Sequence, residues 1–168
     1  MRISFKRIDE KYVNYLRKFD YRVPYVHDGK QRRPFVGCMI TLSEYTYYVP
    51  LSSPKKKHKT MKNAMDFLKI QNGELGALNF NNMIPVSSKY LIDIDLVIHD
   101  TDDDDLRAYK ELLNNQLSWC NKEANRTSII NKANNLYKAI TSDICSDRLK
   151  DRCCDFKLLE QKSKEYNK

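Results

Sequence analysis

Residues 50–59 read Pro50-Leu51-Ser52-Ser53-Pro54-Lys55-Lys56-Lys57-His58-Lys59, two hydroxyls and a stiff turn residue followed by a run of nitrogenous side chains. Such a set can grip a phosphate. The hydroxyls and backbone amides at Ser52 and Ser53 can position it, Pro54 stiffens the turn that holds them, and Lys55 can neutralise its charge. If the phosphate belongs to RNA, the substrate carries its own nucleophile in the 2′-hydroxyl. A protein then needs only to align that group, withdraw its proton and stabilise charge developing at phosphorus. The same residues also suit a lysine-rich strand end kept in water, so gripping and breaking a phosphate both remain open.

The elements that must position this stretch follow from periodicity. Residues 2–7 alternate as a half-buried strand, and Asp9 can cap a helix over 10–20 with Tyr12, Tyr15, Leu16 and Phe19 on one face. Pro24 and the polar run 27–33 break that pattern into an exposed basic loop. Runs 35–42 and 45–51, rich in β-branched and aromatic residues, predict an antiparallel pair joined at Ser43–Glu44. Asn72–Gly73 predicts a tight turn between two further strands, and 90–98 alternates once more. Helical stripes over 102–124 and 127–141 and a last helix over 156–166 complete the chain. Strands first and helices later predict one α+β domain over 1–168, its helices packed on a small curled antiparallel sheet.

Charge narrows the partner. Residues 1–65 hold 15 Lys and Arg against 5 Asp and Glu, whereas residues 66–168 hold 15 against 17. The whole excess of the +8 net charge therefore lies at one end, where a one-sided field attracts a polyanion. Tyrosines 12, 15, 21, 25, 45, 47 and 48 share that segment. Cations interleaved with flat rings suit single-stranded RNA, although tyrosines are also good core and strand residues. Arg22, Lys30, Arg32, Arg33, Lys56, Lys57 and Lys59 are the candidate backbone contacts.

Other constellations carry less. The run Thr101–Asp105 could hold a divalent cation, but it lacks the ligand spacing of a calcium loop and stands where a helix should begin. The five cysteines form no Cys-x-x-Cys pair and read as reduced, mostly buried thiols. The four glycines form no nucleotide-binding loop, so no cofactor and no metal are expected. With no apolar run long enough to span a bilayer, and no signal core, the expectation is a cytoplasmic protein.

The segments 11–24 (KYVNYLRKFDYRVP), 35–40 (FVGCMI), 47–58 (YYVPLSSPKKKH), 76–86 (GALNFNNMIPV) and 154–166 (CDFKLLEQKSKEY), in this order, resemble the ToxN/AbiQ family. These are the toxins of type III toxin–antitoxin systems used in phage abortive infection. The resemblance implies an SH3-like, Kid/MazF-like barrel decorated with helices. It also implies a metal-independent endoribonuclease that leaves 2′,3′-cyclic phosphate and 5′-hydroxyl ends. As partner it implies an RNA pseudoknot antitoxin, processed from a repeat precursor and held in a closed toxin–RNA assembly; cellular and phage RNAs would be the substrates. The family's hydroxyl pair falls on Ser52 and Ser53, with Ser52 where threonine is frequent, and its lysine falls on Lys55. Lys55 would stabilise charge or carry a proton. His58 matches a histidine of the same motif, and Tyr12 matches a first-helix aromatic that reads either as core or as RNA-facing. Two other readings stand beside this one, a MazF-like ribonuclease with a protein antitoxin and a non-catalytic RNA-binding regulator.

Overall fold

A computed structural model of the chain describes residues 1–25 and 36–166. Its central strand is β3 (Tyr45–Ser52), paired along both edges. On one side it meets β2 (Val36–Leu42) antiparallel, from Gly37 opposite Pro50 to Leu42 opposite Tyr45. The predicted Ser43–Glu44 link closes this hairpin, with Ser43 at φ +56°, the left-handed conformation that two-residue hairpins require. On the other side β3 pairs β6 (Ile84–Pro85) through Tyr47 and Tyr48, and β5 (Ala77–Asn79) through Leu51 and Ser52. Beyond β5 lies β4 (Phe67–Lys69); beyond β2 lie β1 (Ser4–Ile8) and then β7 (Leu91–Ile92).

The ends of this path, β4 and β7, do not pair with each other, so the sheet is open where a closed barrel was expected. The cause is visible at β7. The alternating run 90–98 predicted a full strand, but only Leu91 and Ile92 join the ladder, opposite Ile8 and Arg7. Beyond them, Lys110 Nζ donates to the Val97 carbonyl at 2.7 Å and Asn114 Nδ2 to that of Leu96 at 2.9 Å. A neighbouring helix thus takes the carbonyls that a closing strand would have used.

The helices lie mainly in the C-terminal half. One exception is α1 (Glu10–Arg17), which Asp9 caps by accepting from Tyr12 N at 3.0 Å. Short α2 (Lys56–Thr60) follows the central strand. The later helices are α3 (Asp104–Asn121), α4 (Glu123–Thr141), α5 (Asp147–Arg152) and α6 (Phe156–Glu165). The acidic run opens α3 as expected: Asp103 accepts from Leu106 N at 2.8 Å, Asp104 and Asp105 fill the first turn, and Asp102 pairs with Lys110 at 2.8 Å. Neither α2 nor α5 was predicted, since five or six residues are too few for a helical period to show.

Alternation along β3 sends neighbouring tyrosines to opposite faces. Tyr47 meets Tyr137 of α4 and Phe156 of α6 edge-on, at 5.8 Å each. It donates to Glu160 Oε1 at 2.8 Å, and that oxygen also accepts from Tyr137 at 2.7 Å. Lys157 Nζ reaches the other carboxylate oxygen at 3.2 Å. Glu160, only 3% exposed, is thereby supplied with donors and ties α6 to the sheet and to α4.

Glu160→Ala should lower the unfolding free energy in urea by roughly 1.5–3 kcal/mol, the usual worth of hydrogen bonds to a charged group. Adding Tyr47→Phe should then cost little more, because the two changes remove a shared contact. Fully additive losses in the two single variants and the double would show that the carboxylate is not the common acceptor.

Candidate active site

Strand β3 delivers the two hydroxyls. Ser52, its last residue, is opposite Ala77 of β5, and its Oγ accepts from Asn79 Nδ2 at 2.6 Å. Pairing on the β5 side fixes the Ser52 backbone while the amide fixes its hydroxyl. Ser53 is past the ladder and exposed, and Pro54 then turns the chain into Lys55 at the head of α2.

His58 holds that turn from below. It is 2% exposed, lies 5.9 Å from the Phe67 ring, and its Nδ1 accepts from the Lys55 backbone N–H at 3.3 Å. Its own N–H donates back to the Lys55 carbonyl at 2.9 Å. Burial, with Lys55 and Lys57 adding to it, lowers the imidazole pKa. The ring is therefore neutral at physiological pH and carries its proton on Nε2, since Nδ1 is the acceptor.

A second loop clamps the first, and sequence reasoning saw it only as a turn. Residues 70–76 join β4 to β5 through a 3-10 turn at Gln71–Gly73, wider than the two-residue hairpin predicted at Asn72–Gly73. Gly76, at φ +100°, passes so close to β3 that a Cβ there would stand 1.9 Å from the Ser52 carbonyl oxygen. Gly73, at φ +92°, would place one 2.6 Å from the carbonyl oxygen of His58. Only glycine combines that backbone with that proximity. The signal was present in the sequence, two glycines three residues apart just before Ala77-Leu78-Asn79, but nothing local said what they approach.

Above this frame the cations stand in water. Lys55, Lys56, Lys57 and Lys59 are exposed, and none makes an ion pair with a described residue. The site therefore presents two hydroxyls and uncompensated positive charge, the donors a phosphodiester needs.

The other candidates fall elsewhere. Tyr12, expected among the RNA contacts, is fully buried: its ring stacks on Tyr90 at 4.7 Å, and its hydroxyl donates to the Pro85 carbonyl at 2.5 Å and bonds Ser163 Oγ at 2.8 Å. It belongs to the core, because the apolar face of α1 needs that ring as its filling. Arg22 is committed to Asp20 at 2.8 Å and to the carbonyls of Lys150 and Asp151 at 3.1 and 3.4 Å. Lys30, Arg32 and Arg33 lie outside the described residues. Cys38, Cys120, Cys153 and Cys154 are buried; burial pushes the thiols of Cys120 and Cys153 up to about 12, so neither is a thiolate at neutral pH. Among the described residues no cluster of three or more His, Cys, Asp and Glu could hold a metal ion, and no helix is long and apolar enough to cross a membrane.

Known proteins match this chain over nearly its whole length. Endoribonuclease ToxN of Bacillus thuringiensis subsp. kurstaki is 31% identical over 167 residues, which cover 97% of this chain and 84% of that protein. Endoribonuclease AbiQ of Lactococcus lactis subsp. lactis is 31% identical over 179 residues, covering 100% and 91%. Among solved structures, AbiQ, described as a lactococcal anti-phage endoribonuclease of a type III toxin–antitoxin system, superposes with a TM-score of 0.81 at 26% identity over 99% of this chain and 98% of that one. A structure reporting selective toxin inhibition by a non-coding RNA pseudoknot gives 0.79 at 30% identity, with 99% and 98% covered. Residues 4–164 match the family described as Toxin ToxN, type III toxin-antitoxin system. Matching from the first strand to the last helix, this chain belongs to the ToxN toxin family.

Proposed function

We propose that this chain is an endoribonuclease toxin of a type III toxin–antitoxin pair, acting in phage abortive infection and restrained by a folded RNA. The observation that carries the reading is one stretch of chain: Ser52, Ser53 and the exposed Lys55 follow one another on a turn held by β5, Gly76 and His58. Relatives named as endoribonucleases, and one described as inhibited by an RNA pseudoknot, support substrate and partner of the same chemistry. Such an antitoxin would be cut by the toxin from a repeat precursor and held with it in a closed assembly in the cytoplasm.

Cleavage proceeds by transfer of the phosphoryl linkage within the RNA. The 2′-oxygen attacks phosphorus, the bond to the 5′-oxygen breaks, and a 2′,3′-cyclic phosphate and a 5′-hydroxyl result. One proton leaves the 2′-hydroxyl and one arrives at the 5′-oxygen. Ser53, free of the ladder, orients the 2′-hydroxyl and a phosphate oxygen, and Ser52, held by Asn79, assists. Lys55 offsets the charge that grows on the non-bridging oxygens or carries a proton. His58, buried below the turn, keeps the Lys55 backbone in place. Lys56, Lys57 and Lys59 hold the flanking phosphates.

This chemistry needs no metal, since nucleophile, proton carriers and cation all come from RNA and protein. Purified protein should cut RNA in excess EDTA and leave cyclic-phosphate ends. Activity that disappears with EDTA and returns with magnesium would overturn the mechanism.

Ser53→Ala and Lys55→Ala should each reduce cleavage by about 10²–10³-fold, the usual effect of deleting one preorganised group facing developing charge, while antitoxin binding and folding persist. Either variant cutting at the parental rate would remove that residue from the site.

The lowered imidazole pKa fixes a sign for pH. The unfolded chain protonates His58 near the ordinary value of 6.5, before the folded chain does. The contribution of the His58 turn to stability is therefore complete above that value and is lost as pH falls from it toward the folded pKa. Thermal stability should fall over that acid range, whereas cleavage by the folded protein should hold until the ring itself protonates at its lower folded pKa. His58→Gln supplies a non-titrating acceptor to the Lys55 amide, as glutamine does in capping boxes, and should flatten the fall. An unchanged acid limb in the glutamine variant would mean that another group titrates.

A further inference from the structure

Burial separates the aromatics of the basic segment. Tyr12, Tyr47 and Tyr48 are wholly inside and available to nothing. The loop that follows α1 does the opposite: Phe19 is 41% and Tyr21 76% exposed. A cation stands over each ring, Lys162 Nζ at 4.6 Å from the Phe19 centroid and the Arg22 guanidinium at 5.6 Å from that of Tyr21. A tyrosine that exposed contributes little to a core, and a ring with a cation against one face leaves the other face for a flat partner.

The cation over Tyr21 is held still. Arg22 is gripped by the buried Asp20 carboxylate, at 2.8 Å through Nε and 3.2 Å through Nη2, and by the carbonyls of Lys150 and Asp151. Asp20 also accepts from Asp155 N at 2.7 Å, which pins the loop to the head of α6. A platform fixed before its ligand arrives loses little side-chain freedom on binding.

The same short span of chain carries both this loop and the cleavage turn. Asn79 holds the Ser52 hydroxyl, and Asn82 donates to the Arg22 carbonyl at 2.8 Å. The two asparagines are three positions apart, so their backbones are within about 11 Å of each other. Both the loop and the cleavage turn lie in the segment 1–65 that carries the positive balance. Flat rings backed by immobilised cations, beside a phosphate-gripping turn, match the chemistry of unpaired nucleotides, whose bases stack while their backbone is neutralised.

We propose that Phe19, Tyr21 and Arg22 form a stacking platform for unpaired bases of RNA bound across the cleavage turn. The assignment rests on the RNA-cleaving function above and adds where the bases lie. Phosphates are held around Lys55–Lys59, and the platform reads only the presence of a base face. It tolerates any base, because every base has one.

The test uses the full chain carrying Ser53→Ala, with two probes: a short oligoadenylate, and a strand of equal length that lacks its bases. Affinities are titrated at several salt concentrations for the parent, Tyr21→Ala and Tyr21→Phe. Tyr21→Ala should weaken oligoadenylate binding roughly 5- to 150-fold, leave the baseless strand unchanged and keep the parental salt slope. Tyr21→Phe should bind as the parent does. If the parent binds both probes and wild-type protein cuts RNA, yet Tyr21→Ala matches the parent, the platform falls and the nuclease stands. Equal losses on both probes would show a charge effect in place of stacking and also overturn it. So would Tyr21→Ala altering only self-association, which would make this face a protein contact. A chain that neither binds nor cuts RNA overturns the function and the platform together.

Discussion

A slip of one residue along β3 would exchange Tyr47 and Tyr48 between the faces of the sheet and put Ser53 where Ser52 stands. The fold forbids it from three directions. The β2 hairpin fixes the strand through the tight turn at Ser43, the β6 pair fixes it at Tyr47 and Tyr48, and β5 fixes its end at Ser52. The phenol of Tyr47 then has one buried carboxylate to meet, and that carboxylate brings α6 onto the sheet. Everything the site needs in position comes from this register, although the register is set by core residues that never touch a substrate.

The site also divides rigid from solvated groups. The Ser52 hydroxyl and the turn backbone are inside a frame of amide, imidazole and glycine contacts, whereas the lysines beside them are left in water. Taking those lysines out of water would cost far more than their mutual arrangement returns. Kept hydrated, they attract a polyanion over a distance set by ionic strength, and the frame does the aligning.

Much of this was legible in residue order and type. The β2–β3 pair, the caps of α1 and α3 and the long C-terminal helices follow from alternation, from Asp9 and Asp103, and from helical stripes. What was not legible depends on contacts distant in sequence. The run 93–98 alternates as a strand should, but its carbonyls are claimed by Lys110 and Asn114 from α3, and no local pattern says so. Tyr12 looks the same in sequence whether it faces a base or a core; only Tyr90 and Ser163, far along the chain, decide. The motif Ser52-Ser53-Pro54-Lys55 was visible, while its supports Asn79, Gly73 and Gly76 were ordinary strand and turn residues until the fold brought them against it.

The packing of α6 has a consequence for the order in which the protein is made. Residues Ser52 to Asn79, with every group assigned to cleavage, leave the ribosome before Phe156 exists. At roughly 5–20 residues per second, about 4–15 s separate Asn79 from Phe156. During that interval Tyr47 has no Glu160, and the Tyr12 hydroxyl has no Ser163. The nascent sheet keeps a bare apolar face, and its strand register is held by local hairpins alone. A protein built this way matures late: its central strand is translated early but gains the Glu160 and Ser163 contacts only when the last helix docks.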